Sequence, residues 1–165
     1  MKLIGKGTHT KAYLRDDGKV QLHSNDPVKE VMALGWFPSC ELFPIIELID
    51  TGVYEMDYYP YHSSLKNNLE PEQWQLYQDL RHLYHSVVNT KNPQDMYAYL
   101  HNHFDKLLDK RIVLLLQEAL LACSNYSTAI IFEISPRNVK VNNGKLILLD
   151  CFYLPKEWNP ELYNN

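Results

Sequence analysis

The sequence predicts an α+β fold in which a small strand-rich half precedes a mainly helical half. Up to residue 57, short apolar runs alternate with turn signals such as Asp16-Asp17-Gly18, whereas from Pro71 the apolar positions recur with a helical period. The 165 residues, 45% of them hydrophobic, are enough for one domain. We expect an N-terminal lobe over residues 1–57, a connector over 58–62 and a C-terminal lobe over 63–165.

Five antiparallel strands and one helix are predicted in the N-terminal half. The strands are expected over residues 2–5, 11–15, 19–23, 43–49 and 52–57. A helix is expected from Pro27, because Asp26 can cap it and Val28, Val31 and Met32 share a helical face that extends to Leu34 or Gly35. This helix would pack on the sheet.

The C-terminal half is predicted to contain three helices and a hairpin. Apolar residues from Trp74 to Val87 mark one helix, residues 96–108 contain another, and residues 109–123 are apolar on nearly every side, which is typical of a buried helix. Strands return over residues 129–132, 139–141 and 146–149. The Asn143-Gly144 turn predicts that the last two strands form a hairpin.

The composition argues against several functional classes. The net charge is −4 with mixed signs and no long Lys/Arg run, so we expect no nucleic-acid partner. The three cysteines lack a C-x-x-C pair, which argues against a disulfide framework and a cysteine zinc site. No apolar run reaches the roughly 18 residues of a membrane helix, and glycines interrupt the start of the chain. We expect a cytoplasmic protein without a membrane span.

Two further candidates are interpreted as structural. His82 and His85 share a helical face but have no third ligand nearby, so we expect surface histidines. Cys151 beside Asp150 is expected to be a buried small apolar residue rather than a reactive thiol.

Several motifs follow one another in a characteristic order. The chain opens on GKGTHT, continues through a helix with Lys29-Glu30 and an aromatic connector, and ends in E-x-x-x-x-N, a hairpin and an aspartate. From residue 4 to about 152, this order resembles the protein kinase-like superfamily. Only thirteen residues follow Phe152, without an activation segment or the later helices. The resemblance therefore implies a bilobal fold with a reduced C-terminal lobe, as in a minimal atypical protein kinase.

The resemblance implies that the glycine turn covers the phosphates of ATP. Gly5 and Gly7 match the first two glycines of the family's loop, with Lys6 and Thr8 between and after them, while Thr10 replaces the third glycine. Glycine lets backbone N–H groups approach phosphates closely. The alternative is an ordinary hairpin turn.

A cation and a glutamate are also expected near the phosphates. Glu30 matches the helix glutamate that in the family pairs with a strand lysine, and His23 occupies the position of that lysine. Lys6, Lys11 and Lys19 are the other cations considered for this role.

The connector is expected to contact the nucleotide base. Met56, Asp57 and Tyr58 resemble the family's connector, whose backbone groups bond an adenine edge. The alternative is that these residues only pack between the two halves.

Glu133 and Asn138 keep the five-residue offset of the family's catalytic loop, and Asp150 stands where the family has a metal-binding aspartate. The resemblance implies that Asn138 and Asp150 hold Mg²⁺ and that Glu133 positions the acceptor hydroxyl. Glu133 is one methylene longer than the aspartate of the family.

Two functions follow as hypotheses. The first is an ATP- and Mg²⁺-dependent serine/threonine protein kinase. The alternative is a pseudokinase-like nucleotide-binding module that acts by binding a partner protein, because His23 and Glu133 depart from the family. Transfer of AMP is a third option. Since the reduced lobe leaves a surface uncovered, we also expect a partner protein or a second copy of the chain to cover it.

Overall fold

The fold is mixed α+β in a computed structural model that describes residues 1–88 and 96–154. Residues 89–95 and 155–165 of the predicted C-terminal lobe lie outside these ranges. The main sheet is built from β1 (Lys2–Lys6), β2 (Thr10–Leu14), β3 (Lys19–Ser24), β4 (Glu47–Asp50) and β5 (Val53–Asp57). These five strands are antiparallel, in the order β1-β2-β3-β5-β4. The predicted five-stranded sheet is therefore confirmed.

Helices provide most of the regular structure outside the main sheet. The described helices are α1 (Pro27–Ala33), α2 (Leu65–Asn68), α3 (Pro71–Val87), α4 (Met96–Phe104) and α5 (Lys110–Cys123). Two small antiparallel sheets complete the described fold, one pairing β6 (Ile131–Phe132) with β9 (Phe152–Tyr153) and the other pairing β7 (Val139–Asn142) with β8 (Lys145–Leu148). Within the two described ranges, no helix has both the length and the hydropathy needed to cross a bilayer.

The hairpin turns agree with their sequences. Asn143 and Gly144 have φ values of +49° and +78°, the pair of positive values that a two-residue turn between twisted strands requires. Gly18, in the turn between β2 and β3, has a φ of +82°. Turn chemistry therefore accounts for both connections.

The predicted strand over residues 43–49 is wrong in its first half. Pro44 has no N–H to donate to a sheet, and β4 begins only at Glu47. Phe43 and Ile46 are buried instead, each 5% exposed, and pack in the core from an irregular segment.

Two helix predictions also need correction. Helix α1 ends at Ala33 because Gly35 adopts a φ of +75°, and Leu34 points to solvent with 51% exposure. Helix α5 is amphipathic rather than buried all round. Its residues Leu114 and Leu121 are 62% and 57% exposed. The short helix α2 was not predicted.

The main sheet has an inner face that packs on the core and an outer face that meets solvent. Along β3, Val20, Leu22 and Ser24 are buried, whereas His23 between them is exposed. Because directly opposed residues of antiparallel strands lie on one face, Ala12 and Tyr54, which oppose Leu22, belong to the inner face. The inner face, the helices and the hairpin share one hydrophobic cluster.

Candidate functional site

A buried lysine links the first helix to the end of the hairpin. Lys29 on α1 is 4% exposed. Its Nζ lies 3.1 Å from the Leu149 carbonyl oxygen and 3.3 Å from Asp150 Oδ1. Helix α1 is oriented at its start by Asp26, whose carboxylate accepts a hydrogen bond of 3.0 Å from the Val28 N–H. The helix cap and the lysine therefore belong to one local arrangement.

Asp26, Lys29 and Asp150 form what we call the charged cluster. Burial disfavours the ammonium of Lys29, but attraction to Asp150 and Asp26 outweighs it, so the pKa of Lys29 lies above its ordinary value. Burial raises the pKa of Asp26 to about 6, although Lys29 opposes the shift. With both carboxylates ionised, the cluster has two negative charges and one positive charge, a formal excess of one negative charge. Such a site attracts a further cation.

The hairpin brings Asn138, Asp150 and the backbone of Glu133 together. The Leu149 N–H donates to the Asn138 carbonyl at 2.8 Å, and Asn138 Nδ2 donates to the Asp150 carbonyl at 3.2 Å. On the other side, the Glu133 N–H donates to the Cys151 carbonyl at 2.9 Å. The segment 149–151 is therefore held between the two ends of the loop 133–138.

Helix α3 anchors the loop that carries Glu133 and Asn138. Arg81 on α3 donates a hydrogen bond to the Ile134 carbonyl, and its guanidinium lies 5.6 Å from the centre of the Tyr84 ring. In the described part of the chain, the hydroxyl oxygen of Ser135 is buried without a hydrogen-bond partner. A buried polar atom of this kind is uncommon and marks the loop as a place with an unfulfilled polar interaction.

Asp150 and Asn138 each have a side-chain oxygen of the kind that could bind Mg²⁺. Lys29 donates a hydrogen bond to Oδ1 of Asp150, which leaves Oδ2 for a metal ion. Asn138 uses its amide nitrogen in the hydrogen bond to the backbone, which leaves its amide oxygen for a metal ion as well. Hard oxygen ligands with several retained waters are what Mg²⁺ prefers. Among the described residues, no three His, Cys, Asp or Glu side chains are grouped for metal binding. A metal at this site would therefore take its remaining oxygens from water and a ligand.

The predicted pairing of His23 with Glu30 is wrong. His23 lies on the outer face of the sheet, where its Nε2 is 2.8 Å from Gln21 Nε2 and its ring meets the edge of Tyr13. Glu30 is exposed and accepts a hydrogen bond of 2.8 Å from the Tyr126 hydroxyl. Successive residues of a strand face opposite sides of the sheet. His23 therefore lies on the outer face, away from the inner face to which its neighbours in the strand belong.

The other cations considered from the sequence do not enter the charged cluster either. Lys6 and Lys11 are exposed and oppose each other on β1 and β2. Lys19 bonds Asp57 at 2.5 Å on the sheet surface. Lys29 was missed as a candidate cation, although it stands among Val28, Val31 and Met32, the buried positions of a short helix. A lysine among such positions is the signal that could have found it.

The glycine turn sits at the end of the sheet. Gly5 opposes Ala12, and the Gly7 N–H donates to the Thr10 carbonyl at 2.8 Å. Lys6 and Thr8 are exposed. A Cβ added at either glycine would lie 3.6 Å from its nearest neighbour, and neither residue has a positive φ. The fold itself therefore does not require glycine at these two positions.

The three residues expected to contact the nucleotide base separate onto different faces. Met56 opposes Val20 on the inner face. Asp57 opposes Lys19 on the outer face, and Tyr58 is 41% exposed. Met56 is thus the one of these three predicted base contacts whose side chain belongs to the inner face.

The residues interpreted as structural behave as expected. Cys151 is 4% exposed, and burial raises the pKa of its thiol well above the ordinary value. His82 and His85 are exposed on α3.

No family model and no curated protein matches this sequence. The charged cluster and its loop are therefore the observations on which a function can be argued.

Proposed function

We propose that the chain is an ATP- and Mg²⁺-dependent phosphotransferase with a reduced, two-lobed protein-kinase-like fold. The observation that carries this proposal is the buried ammonium of Lys29 on Asp150, beside Asn138. A cation, a carboxylate and an amide oxygen gathered at the end of one hairpin are the groups that phosphoryl transfer uses to bind a metal and neutralise charge.

Each residue of the proposed site has a separate role. Lys29 takes the place expected of His23 and supplies a positive charge for phosphate oxygens, since its raised pKa keeps it protonated at neutral pH. Asn138 and Asp150 would hold Mg²⁺ through their remaining oxygens. When bound, Mg²⁺-ATP would supply the phosphoryl group to be transferred.

The remaining residues would position the two substrates. Glu133 is partly exposed beside the segment 149–151 and would orient the acceptor hydroxyl. This hydroxyl is expected to belong to a serine or threonine of a substrate protein. The turn at Gly5 and Gly7 would cover the phosphates. Because the fold does not require glycine there, close approach of a ligand gives a reason for both residues.

Label transfer from ATP tests the proposal. The wild-type chain, Asp150→Ala and the exposed control Asp17→Ala are incubated with Mg²⁺ and γ-labelled ATP. The acceptor is a protein that contains both serine and threonine residues. We expect label to enter protein with the wild type and the control, and the Asp150→Ala rate to fall at least 100-fold. Equal incorporation by Asp150→Ala and the wild type would overturn the assignment. Label arriving from α-labelled but not γ-labelled ATP would indicate AMP transfer.

A second candidate is a nucleotide-binding module that acts by binding a partner protein without turnover. The contacts of Lys29 favour it, because its Nζ already bonds two oxygens and the side chain is 5% exposed, as in a structural ion pair. Thermal stabilisation by Mg²⁺-ATP without label transfer would support this candidate, whereas multiple turnovers would exclude it.

A further inference from the structure

A cavity of about 310 Å³ lies beside the connector. It is bounded by residues 60–66, by α3 and by the segment from Pro136 to Lys140. None of the three residues of the charged cluster lines it, so it is separate from that cluster. Its volume is at the lower end of the range for sites that bind small molecules.

Aromatic rings form the apolar part of this cavity. Trp74 and Tyr77 on α3 have ring centres 5.5 Å apart and planes tilted by 35°. Tyr61 lines the cavity from the connector and is 78% exposed. Tyr77 is buried and Trp74 is half-buried, so the exposed Tyr61 and the accessible part of Trp74 provide faces on which a planar ligand can pack.

Positive charge accompanies the rings. Lys66 on α2 and Lys140 on β7 line the cavity from different elements, and His62 adds a further nitrogen donor. The Lys140 ammonium lies 5.9 Å from the centre of the Tyr61 ring. Among the described residues that line the cavity, none is an aspartate or a glutamate. In a chain of net charge −4, this lining is locally positive.

We propose that this cavity binds a small ligand that joins a planar apolar ring to an anionic group, of which an aryl phosphate is the simplest example. The ring packs against Tyr61 and Trp74, and the anion is held by Lys66 and Lys140. Pro136 and Val139 flank Asn138 and line the same cavity, so the ligand touches the loop of the candidate site. The proposal does not depend on phosphotransferase activity.

Calorimetric titration of the full chain tests this site with three probes: phenyl phosphate, phenol and inorganic phosphate. We expect phenyl phosphate to bind at least tenfold more tightly than either of its parts. The double variant Lys66→Gln/Lys140→Gln should lower phenyl phosphate affinity about tenfold and leave phenol unchanged, because it removes two charge-assisted contacts. The matched control is Lys2→Gln/Lys106→Gln, which changes two exposed lysines outside the cavity and should bind like the wild type.

Three results would overturn the proposal: an affinity for phenol or for inorganic phosphate equal to that for phenyl phosphate, an unchanged affinity in the double variant of the cavity, or no saturable binding of phenyl phosphate. Neither lysine belongs to the charged cluster, so thermal stabilisation by Mg²⁺-ATP should be the same in the double variant and the wild type. Measuring both responses on the same samples separates a failure of this site from a failure of the proposed function.

Discussion

Replacing Lys29 with methionine removes the cation that attracts Asp26 and Asp150 and shortens the side chain by only one heavy atom. Breaking a buried ion pair by removing one partner costs about 3–5 kcal/mol, because the other charge stays buried. Here the Asp150 side chain is 31% exposed, and Asp26 can take up a proton near pH 6. Both features reduce the cost, so we expect Lys29→Met to lose about 2–3 kcal/mol of unfolding free energy at pH 7.5.

The pH dependence of this loss gives the sharper test. Without the ammonium, the pKa of Asp26 rises beyond its wild-type value of about 6, so the folded variant binds more protons than the folded wild type. The loss of stability must therefore shrink as the pH falls. Urea denaturation at pH 7.5 and pH 5 measures it, and Lys19→Met, which removes an exposed ammonium, serves as the control with little expected change. An equal loss at both pH values, or a loss below about 1 kcal/mol at pH 7.5, would refute the reasoning.

Further predictions concern the cap and the glycines. In the wild type, Asp26 has a folded pKa of about 6 against an ordinary 3.8, so its contribution to stability is present below pH 4 and is lost as the pH rises through 6. Asp26→Asn keeps a capping oxygen and should remove this loss of unfolding free energy, which is worth up to about 3 kcal/mol. Urea midpoints measured from pH 4 to pH 8 test this, and identical pH profiles of the variant and the wild type would contradict the assignment. Gly7→Ala should be as stable in urea as the wild type or up to about 1 kcal/mol more stable, but bind Mg²⁺-ATP at least fivefold more weakly, and unchanged binding would count against the phosphate loop. Gly52→Ala is the contrasting variant: at a φ of +70° with a Cβ 3.2 Å from the Ser24 carbonyl, it should lose about 1–2 kcal/mol.

Local patterns determined most of the elements. Alternation and the Asp17-Gly18 and Asn143-Gly144 turns located the described strands other than β9 to within about two residues where no proline intervened, and β9 was not predicted. The five-residue offset from Glu133 to Asn138 and the hairpin before Asp150 also follow from short-range spacing. These features were predictable because turn geometry and strand periodicity depend on neighbours in the chain.

Only the tertiary structure decided which cation meets Asp150. His23 and Lys29 both lie near the point in the sequence where a cation for the phosphates was expected, but β3 turns His23 outward and α1 turns Lys29 into the core. Asp150, the carboxylate partner of Lys29, lies 121 residues further along the chain. The free energy of a buried charge depends on the groups packed around it, and no local pattern records a contact over that separation.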